Sequence, residues 1–539
     1  MDKKIYYDIV IRQIPRLLGQ LDRNKNSETY GCFDRNYWHY KIADFSCARY
    51  QEAVLTLALL YKLKQKDNPY FKNKNILRWI EATLEFWCNI QNKDGSFNEW
   101  YPNEKSFVAT AFSCYAISEC LILLKKEIKG ERIINSLRKA GDWLLKRSEW
   151  DATNQMSGAI SSLYNIYVLT NNRKYLINHK NKLNQLLKKQ NSEGWWNEYN
   201  GADISYLSLT VDYLSKLYKK NPNAKLKGSI NKAIDFLSFF VHPNLTFGGE
   251  YGSRNTEYMI PHGMELNTQN KNAASISCAI RNSLKNSATI TPYSVDDRYL
   301  CYIGYVWLQA YLDSKKTLKL PKYRFNQNFN KDFTNAKISV ISNDNFYIII
   351  NYSKGGAFNL YLKKQNKTIH DSGILVKDKN NSYLTSSWIS NSLVQKNNPT
   401  KIKGKLWKLK NTPMTSLKST TLRVFSKTLG NSQKLSLAMK KILRKKLITV
   451  SEKSNISFSR QFTINNKIIK IVDSVDSKNR IKDIFLGEKY SNIFIPSSRY
   501  FQLQELNNKP LEFKNIRKNK FKVERSLTWD NKTSFKILD

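Results

Sequence analysis

The sequence predicts an α+β protein with two domains: an N-terminal α/α toroid of about six helical hairpins, then a C-terminal antiparallel β-sandwich. First, a ten-residue segment at 91–100 recurs at 190–199, and a degraded third copy ends at Gly249-Glu250-Tyr251. Second, stretches with an amphipathic helical pattern alternate with stretches that are apolar on most faces. Third, short β-type runs replace the helical pattern after about residue 320. A repeat of this kind is typical of stacked supersecondary units.

The helical stretches differ in how far around the helix their apolar residues extend. Ile76, Ile80 and Leu84 form one stripe of an otherwise polar stretch, whereas residues 107–116 are apolar or small almost all round. A helix with one apolar stripe faces solvent on its other side, and one that is apolar all round is enclosed. Outer and inner helices therefore alternate, and stacked hairpins predict one toroid domain over residues 1–320.

Residues 330–539 are predicted to form the β-sandwich. Runs such as 346–350 and 456–462 are rich in β-branched and aromatic residues and are separated by Asn, Gly, Ser and Lys. Many short strands without helices between them indicate a sandwich. The exception is a basic segment at 433–447, for which we predict a solvated insertion helix. A helix that lies on a membrane surface is the alternative for this segment.

Composition limits the classes of partner. The net charge of +44 favours polyanions, although Lys and Asn are abundant throughout, as an AT-rich genome would produce. No nucleic-acid-binding motif is present, so no specific nucleic-acid partner is predicted. The chain has no apolar run of 18 residues and no convincing signal peptide, and its seven cysteines lack CxxC spacing. These features predict a cytoplasmic protein with reduced thiols and with no metal or cofactor.

The loop that follows the degraded third copy is the densest cluster of polar and aromatic residues. If a helix begins near Asn255, then Tyr258 and His262 lie one turn apart on the same face. Such a pair near Arg254 suits removal of a carbon-bound proton, because neutral His is a base near pH 7 and a cation lowers the pKa of Tyr. The alternative is that these side chains fill helix packing, since Pro261 interrupts a helix.

Other residues around the same mouth are predicted to bind substrate, because glutamate accepts hydrogen bonds from hydroxyl groups and aromatic faces stack on sugar rings. For the repeated positions we favour another role: Gly95 and Gly194 make turns, while Glu99 and Glu198 cap the next helix through its dipole. The predicted substrate-binding residues are Glu250, Tyr251, Glu257, His39, Arg35, Trp100, Tyr199 and His370.

A toroid followed by a β-sandwich resembles the heparinase II/III-like polysaccharide lyases, and residues 345–349, 352–357 and 370–373 are similar to that family's second domain. The resemblance implies β-elimination on a uronate-containing acidic polysaccharide. It implies that His262 and Tyr258 exchange protons while Arg254 or Asn255 neutralises the carboxylate. The sequence departs from the family in having no Asn-x-x-His pair on an inner helix. Without a signal peptide, the implied setting is capsule or exopolysaccharide biosynthesis.

Alternative functions remain open at this point. The scaffold suits an inactive protein that binds an acidic glycan or a membrane surface, so a peripheral membrane contact stays a candidate. The repeat also resembles the Gln-Trp repeats of terpene-cyclase and prenyltransferase toroids, and an unsaturated-uronyl hydrolase is a further possibility. Asp296 and Asp297 before Arg298 are only a fragment of the cyclase acid motif. They could bind a metal or serve an inverting glycosidase, but we favour a helix cap and an ion pair.

Overall fold

The computed structural model describes residues 2–538 except 287, 316–321, 391, 397–398, 410–412, 447–449, 467, 488–499, 503–504, 507–508, 517 and 529–532. The predicted domain junction near residue 320 and the predicted helix end at Leu447 lie outside the described residues. The described chain forms helices up to Asp313 and strands from Phe329 onward, and this architecture confirms the predicted fold class.

Helices in the N-terminal part alternate between an enclosed inner layer and a half-exposed outer layer. The inner helix at Phe107–Leu123 buries 13 of its 17 residues, whereas the next outer helix, Glu131–Leu145, buries 7 of 15. The fourteen helices of this part are α1 Lys4–Ile11, α2 Ile14–Gln20, α3 Arg35–Trp38, α4 Ala53–Lys62, α5 Lys74–Asn89, α6 Phe107–Leu123, α7 Glu131–Leu145, α8 Thr153–Thr170, α9 Arg173–Lys188, α10 Ile204–Lys220, α11 Ala224–Ser238, α12 Pro261–Glu265, α13 Lys271–Lys285 and α14 Asp297–Asp313, counted within the described residues.

The repeated glycines make the turns that the sequence predicts. Gly95 and Gly194 have φ angles of +91° and +105°, which side chains rarely adopt. Each also lies against a neighbouring helix, because a Cβ would come within 2.3 Å of the carbonyl oxygen of Lys139 or Lys232. Both conditions require glycine, so the repeat positions each loop against the second helix after it, α7 or α11.

The glutamine that opens each repeat fastens the same loop. Gln91 Nε2 donates to the carbonyl oxygen of Gly95 at 3.1 Å and to that of Ser136, on α7, at 2.9 Å. Gln190 makes the equivalent two bonds in the second copy. The spacing between Gln and Gly that the two copies share is therefore structural.

Fifteen described strands form two antiparallel sheets. A five-stranded sheet runs in the order β1-β2-β3-β4-β5, and a ten-stranded sheet runs β13-β12-β6-β7-β9-β10-β11-β14-β15 with β8 paired to β9. The strands are β1 Phe329–Phe333, β2 Ile338–Ser342, β3 Phe346–Asn351, β4 Ala357–Leu362, β5 Lys367–Asp371, β6 Leu375–Asp378, β7 Tyr383–Thr385, β8 Leu393–Lys396, β9 Thr400–Lys408, β10 Lys453–Ile464, β11 Ile468–Asp476, β12 Ile481–Leu486, β13 Leu511–Phe513, β14 Lys520–Thr528 and β15 Thr533–Leu538.

The five-stranded sheet is covered on both faces. Successive side chains of β3 alternate between two cores: Tyr347 and Ile349 pack with the toroid helices, while Ile348 and Ile350 pack with the ten-stranded sheet. The whole strand is therefore buried, which explains its continuous apolar run. This sheet joins the sandwich to the toroid.

Two helices are inserted between β9 and β10, α15 at Ser416–Lys427 and α16 at Gln433–Arg444. The predicted insertion helix is confirmed as a helix, but its prediction as a solvated one is wrong for one face. Ser436 is buried and donates to the carbonyl oxygen of Asn103 at 2.7 Å, and Lys440 reaches Glu104 at 2.9 Å. Because they cover the toroid mouth, we call α15 and α16 the roof helices.

The two aspartates before Arg298 and the seven cysteines can also be compared with their sequence predictions. Asp296 caps α14, accepting the backbone N–H of Tyr299 at 2.8 Å, and Asp297 pairs with Arg16 at 2.6 Å, which confirms a cap and an ion pair. All seven cysteines are buried and unbridged. No helix in the described part of the chain combines the length and the apolar character that crossing a membrane requires.

Candidate active site

A cavity of about 420 Å³ lies at the toroid mouth, beneath the roof helices. Its walls come from the repeat loops and the inner helices, and its cover comes from Leu422, Leu443 and Arg444 of the roof helices. The volume falls within the range of small-ligand sites. The loops that begin as a sequence repeat thus meet at one cavity.

Tyr199, at the end of the second repeat, lies between two arginines in this cavity. The Arg254 guanidinium is 4.3 Å from the centre of the Tyr199 ring, and the Arg444 guanidinium is 5.9 Å from it. Burial raises the pKa of Tyr199 to about 12, and the charges of both arginines oppose that rise. A half-buried phenol beside two cations is a group whose ionised form the site can stabilise.

Asn154 and Glu198 form a second part of the same wall. Glu198 accepts the backbone N–H of Asn154 at 2.7 Å and the Asn154 side-chain amide at 2.8 Å. Burial holds the pKa of Glu198 well above its usual range despite these two bonds. A primary amide has two N–H donors, so Asn154, which lines the cavity, retains one for a ligand.

A third group of residues in or next to the cavity lining alternates acids and arginines. Arg298 pairs with Glu99 at 3.2 Å and its guanidinium lies 3.9 Å from the ring centre of Trp100. Arg49 pairs with Glu52 at 2.7 Å. Burial raises the pKa of Glu52 to about 7, although Arg49 lowers it. A carboxyl group with this pKa can gain or lose a proton near neutral pH.

The predicted helix-capping role of the repeated glutamates is wrong as stated. Glu99 pairs with Arg298 and lies 3.8 Å from Arg49, while the next helix, α6, is capped by Ser106. Glu198 does bind a helix N-terminus, but that helix is α8, whereas Asp203 caps the following helix α10. Both carboxyl groups instead belong to the cavity walls or to contacts directly behind them.

Four of the predicted site residues come together in the cavity lining: Arg254, Tyr258, Trp100 and Tyr199. Tyr258 is not on a helix, because α12 begins only at Pro261. The expected spacing of Tyr258 and His262 on one helical face is therefore wrong, and the proline that the sequence showed is the reason.

His262 lies outside the described cavity lining, between α10 and α14. Its Nε2 atom is 2.8 Å from Asp313, its Nδ1 atom is 3.2 Å from Asp212, and only 2% of the side chain is exposed. Asp212 also pairs with Lys216 at 2.5 Å. The imidazole is thus held among helices, away from the mouth, and its assignment to proton transfer stays a prediction.

The remaining predicted residues from 250–257 hold the toroid against the sandwich. Lys354, which follows β3, donates to the carbonyl oxygens of Glu250 and Gly252 at 2.6 and 2.7 Å and also contacts the Asn255 side chain. Glu250 further contacts His370 at 3.2 Å. Tyr251 and Glu257 are buried in the same region. None of these residues belongs to the described lining of the cavity.

His39 and Arg35 are at α3, also apart from the described lining. His39 is exposed, and Arg35 donates to the carbonyl oxygen of Gly19 at 3.2 Å. Sequence reasoning missed Arg49, Glu52, Asn154 and Arg444 as lining residues. The acid-arginine pair within 49–52 just before an apolar helix was a usable signal, but nothing local connects Arg444 with Tyr199.

Comparisons with known proteins agree with this architecture. No family model and no curated protein matches the chain. A variant of chondroitin AC lyase from Streptomyces coelicolor has a similar structure, with a TM-score of 0.52, 8% identity, and coverage of 90% of this chain and 68% of that one. Heparinase III follows with a TM-score of 0.44, 12% identity, and coverage of 90% and 81%.

A variant of heparan sulfate lyase HepC from Pedobacter heparinus has a TM-score of 0.39 and 10% identity, with coverage of 90% of this chain and 70% of that one. At these sequence identities a structural likeness shows only the fold, and the conclusion about the fold rests on the first of the three structures. The chain has a fold similar to that of this chondroitin AC lyase, with a helical toroid joined to a β-sandwich.

Proposed function

We propose that the protein is a polysaccharide lyase that cleaves a uronate-containing acidic glycan by β-elimination. The observation that carries the proposal is the half-buried Tyr199 beside Arg254 and Arg444 in a cavity at the toroid mouth. A uronate carries a carboxylate next to the carbon that must lose its proton. Arginines bind carboxylates in a fixed planar geometry, so they serve both to hold the sugar and to neutralise it.

The reaction removes one proton and breaks one bond. A base takes the proton from the carbon next to the carboxylate, and the C–H electron pair forms a double bond to the neighbouring ring carbon. The bond from that carbon to the glycosidic oxygen then breaks, and the leaving oxygen takes up a proton. Positive charge beside the carboxylate stabilises the carbanion-like transition state, usually the largest catalytic contribution.

We assign the proton transfers to Tyr199 and Tyr258, and we assign carboxylate binding to Arg254 and the amide of Asn154. Arg444, which is paired with Glu149 and Asp151, adds positive charge beside Tyr199. Tyr258 and Arg254 keep their sequence-based roles, while Tyr199 replaces His262 because it lies in the cavity lining. Since burial raises the pKa of Tyr199 to about 12, the phenolate fraction is small at neutral pH. We therefore expect the rate to rise with pH across the neutral and mildly alkaline range.

The test uses a panel of acidic glycans and the far-ultraviolet absorbance of the conjugated double bond that elimination creates. Tyr199→Phe keeps the ring beneath Arg254 but removes the hydroxyl, and should lower kcat/KM about 10²- to 10⁴-fold. Tyr383→Phe, an exposed tyrosine on the sandwich, is the matched control and should change nothing. An unaltered rate in the Tyr199 variant would exclude this tyrosine as a proton carrier.

The proposal extends to a setting in capsule or exopolysaccharide biosynthesis. The net charge of +44 supports an encounter with acidic polymers in general. Deleting the gene should lengthen the acidic surface or secreted polysaccharide, as measured by gel filtration of purified glycan. An unchanged length distribution, together with lyase activity in vitro, would reject the setting and leave the chemistry in place.

A second candidate is an acidic-glycan binding protein without activity. The observation in its favour is that none of the described cavity-lining residues is a histidine. If titration calorimetry detects glycan binding while the same glycan gives no absorbance increase between neutral and alkaline pH, this second function replaces the first.

A further inference from the structure

The outer surface of the roof helices combines exposed aliphatic side chains with lysines. Leu417 and Val424 of α15 are 78% and 59% exposed, and Leu435 and Ile442 of α16 are 42% and 51% exposed. Isolated exposed aliphatic residues are common, but four large ones on two short neighbouring helices are not explained by the fold. We call Leu417, Val424, Leu435 and Ile442 the aliphatic set.

Helix geometry places the aliphatic set on the side that faces away from the toroid. Residues seven apart lie on one helical face, which pairs Leu417 with Val424 and Leu435 with Ile442. The opposite faces make the toroid contacts, through Ser426, which accepts from Asn103, and through Ser436. The aliphatic set therefore points outward, over the mouth of the cavity.

The segment that carries this surface has charge of one sign only, although Asp44 of the toroid pairs with Arg423 and Lys427 of α15. No Asp or Glu occurs between Asp378 and Glu452, whereas that interval contains 16 lysines and arginines. On the outer half of α16, Lys434, Lys441 and Lys445 are all exposed beside Leu435 and Ile442. A helix with aliphatic residues on one face and lysines beside them is suited to the headgroup region of an anionic bilayer.

We propose that the roof helices dock the protein on an anionic membrane surface, with the aliphatic set entering the headgroup region and the flanking lysines binding lipid phosphates. A second copy of the chain is a poor occupant, because it would bring the same positive charge to the same face. A nucleic acid or a soluble polyanion would satisfy the lysines but would leave the four aliphatic side chains in water. Docking in this orientation places the cavity mouth at the bilayer.

The experiment measures co-sedimentation of the full chain with vesicles of phosphatidylglycerol and phosphatidylcholine in equal parts, and with vesicles of phosphatidylcholine alone. One variant replaces the aliphatic set (L417S, V424S, L435S and I442S) and keeps every charge. A second, K434Q, K441Q and K445Q, keeps every aliphatic side chain. Each should weaken partitioning to the anionic vesicles at least about tenfold.

The matched control removes three lysines from the outer face of the ten-stranded sheet, K401Q, K403Q and K522Q, and should bind like the wild type. Circular dichroism and thermal melting establish that each variant is folded. Equal loss in the control would mean that net charge alone drives the binding, which overturns the proposal. Wild-type binding by the aliphatic variant also overturns it, because a polyanion site then accounts for the lysines.

Discussion

The cavity and the His262 cluster each bring titratable and charged side chains together, but they differ in the space beside those side chains. In the cavity, Tyr199 lies between Arg254 and Arg444 at an opening of about 420 Å³. In the second cluster, His262 lies between Asp212 and Asp313 and is 2% exposed. Arg444 is also paired with Glu149 and Asp151, but the first set borders an open cavity, whereas the second encloses its charges among helices. Access to open space therefore separates the candidate for chemistry from the enclosed cluster.

Among the variants that test stability, His262→Ala should have the largest effect. Removing the imidazole leaves two carboxylates facing each other without the group between them, and should lower the free energy of unfolding by about 3 kcal/mol. This is the lower end for breaking a buried charge pair, because Lys216 and Lys219 still pair with Asp212 and Asp313. Urea denaturation measures the change.

Tyr199→Phe, measured in the same urea denaturation experiment, shows whether the cavity residue also contributes to stability. It should stay within about 1 kcal/mol of the wild type, because the ring and its arginine contacts remain. If instead His262→Ala keeps full stability and loses activity at a temperature where it is folded, the histidine cluster has the chemical role and our division between the two regions fails.

The next largest change in stability is expected in the turn at Gly194, which precedes Tyr199. Gly194→Ala should destabilise by about 2 kcal/mol, because the residue has a φ of +105° and its new Cβ would lie 2.3 Å from the carbonyl oxygen of Lys232. Gly228→Ala is the matched control: it lies in α11, no heavy atom lies within 4 Å of the position that its Cβ would take, and it should stabilise by about 0.5 kcal/mol. Thermal melting gives both signs, and equal behaviour of the two variants would refute the role of the turn.

A variant with a smaller expected effect, Arg254→Lys, tests whether a ligand is bound by the positive charge of Arg254 alone or also by its planar shape. Arg254→Lys keeps the positive charge but loses the planar group that stacks on the ring and can bind a carboxylate through two bonds. Binding of an acidic glycan should weaken about tenfold, as measured by titration calorimetry. Unchanged affinity would show that charge alone is recognised and that the stacked geometry has no function.

The smallest effect is the pH dependence of stability that Asp313 of the His262 cluster contributes. The pKa of Asp313 is lowered to about 2: burial opposes the change, but the hydrogen bond from His262 and the charges of His262 and Lys219 prevail. A lowered carboxyl pKa gives stability that is present above the unfolded value near 4 and is lost as the pH falls toward 2. Asp313→Asn should remove about 1 kcal/mol of this acid-side loss, allowing for partial solvent exposure. Parallel acid-denaturation curves for the two proteins would contradict it.

Much of the architecture was predictable from local patterns. The Gly95 and Gly194 turns follow from residue type and repetition, and the alternation of enclosed and half-exposed helices follows from how far apolar residues extend around each helix. The predicted helix near Asn255 failed because Pro261 permits a helix to begin at its own position but disfavours one that runs through it.

The site was only half predictable. Arg254, Tyr258, Trp100 and Tyr199 were identified because they follow the repeats or lie in a dense polar loop, and these are features of the sequence itself. Arg444 is separated from Tyr199 by 245 positions, and no local pattern joins an insertion in the sandwich to the toroid mouth. Conversely, no local pattern around His262 shows its two carboxylate neighbours, which come from α10 and α14.

The order of the elements, the turns of the repeat and the basic and aliphatic character of the roof helices can be read from local sequence, because each depends on residues close together in the chain. Which polar residues share a cavity and which are paired in the interior depends on tertiary packing. Helices that begin tens of residues apart are brought into contact by burial of their apolar faces, and that packing fixes the neighbours of every charge. A charge with space beside it can bind a ligand, and one enclosed with its counterion stabilises the fold.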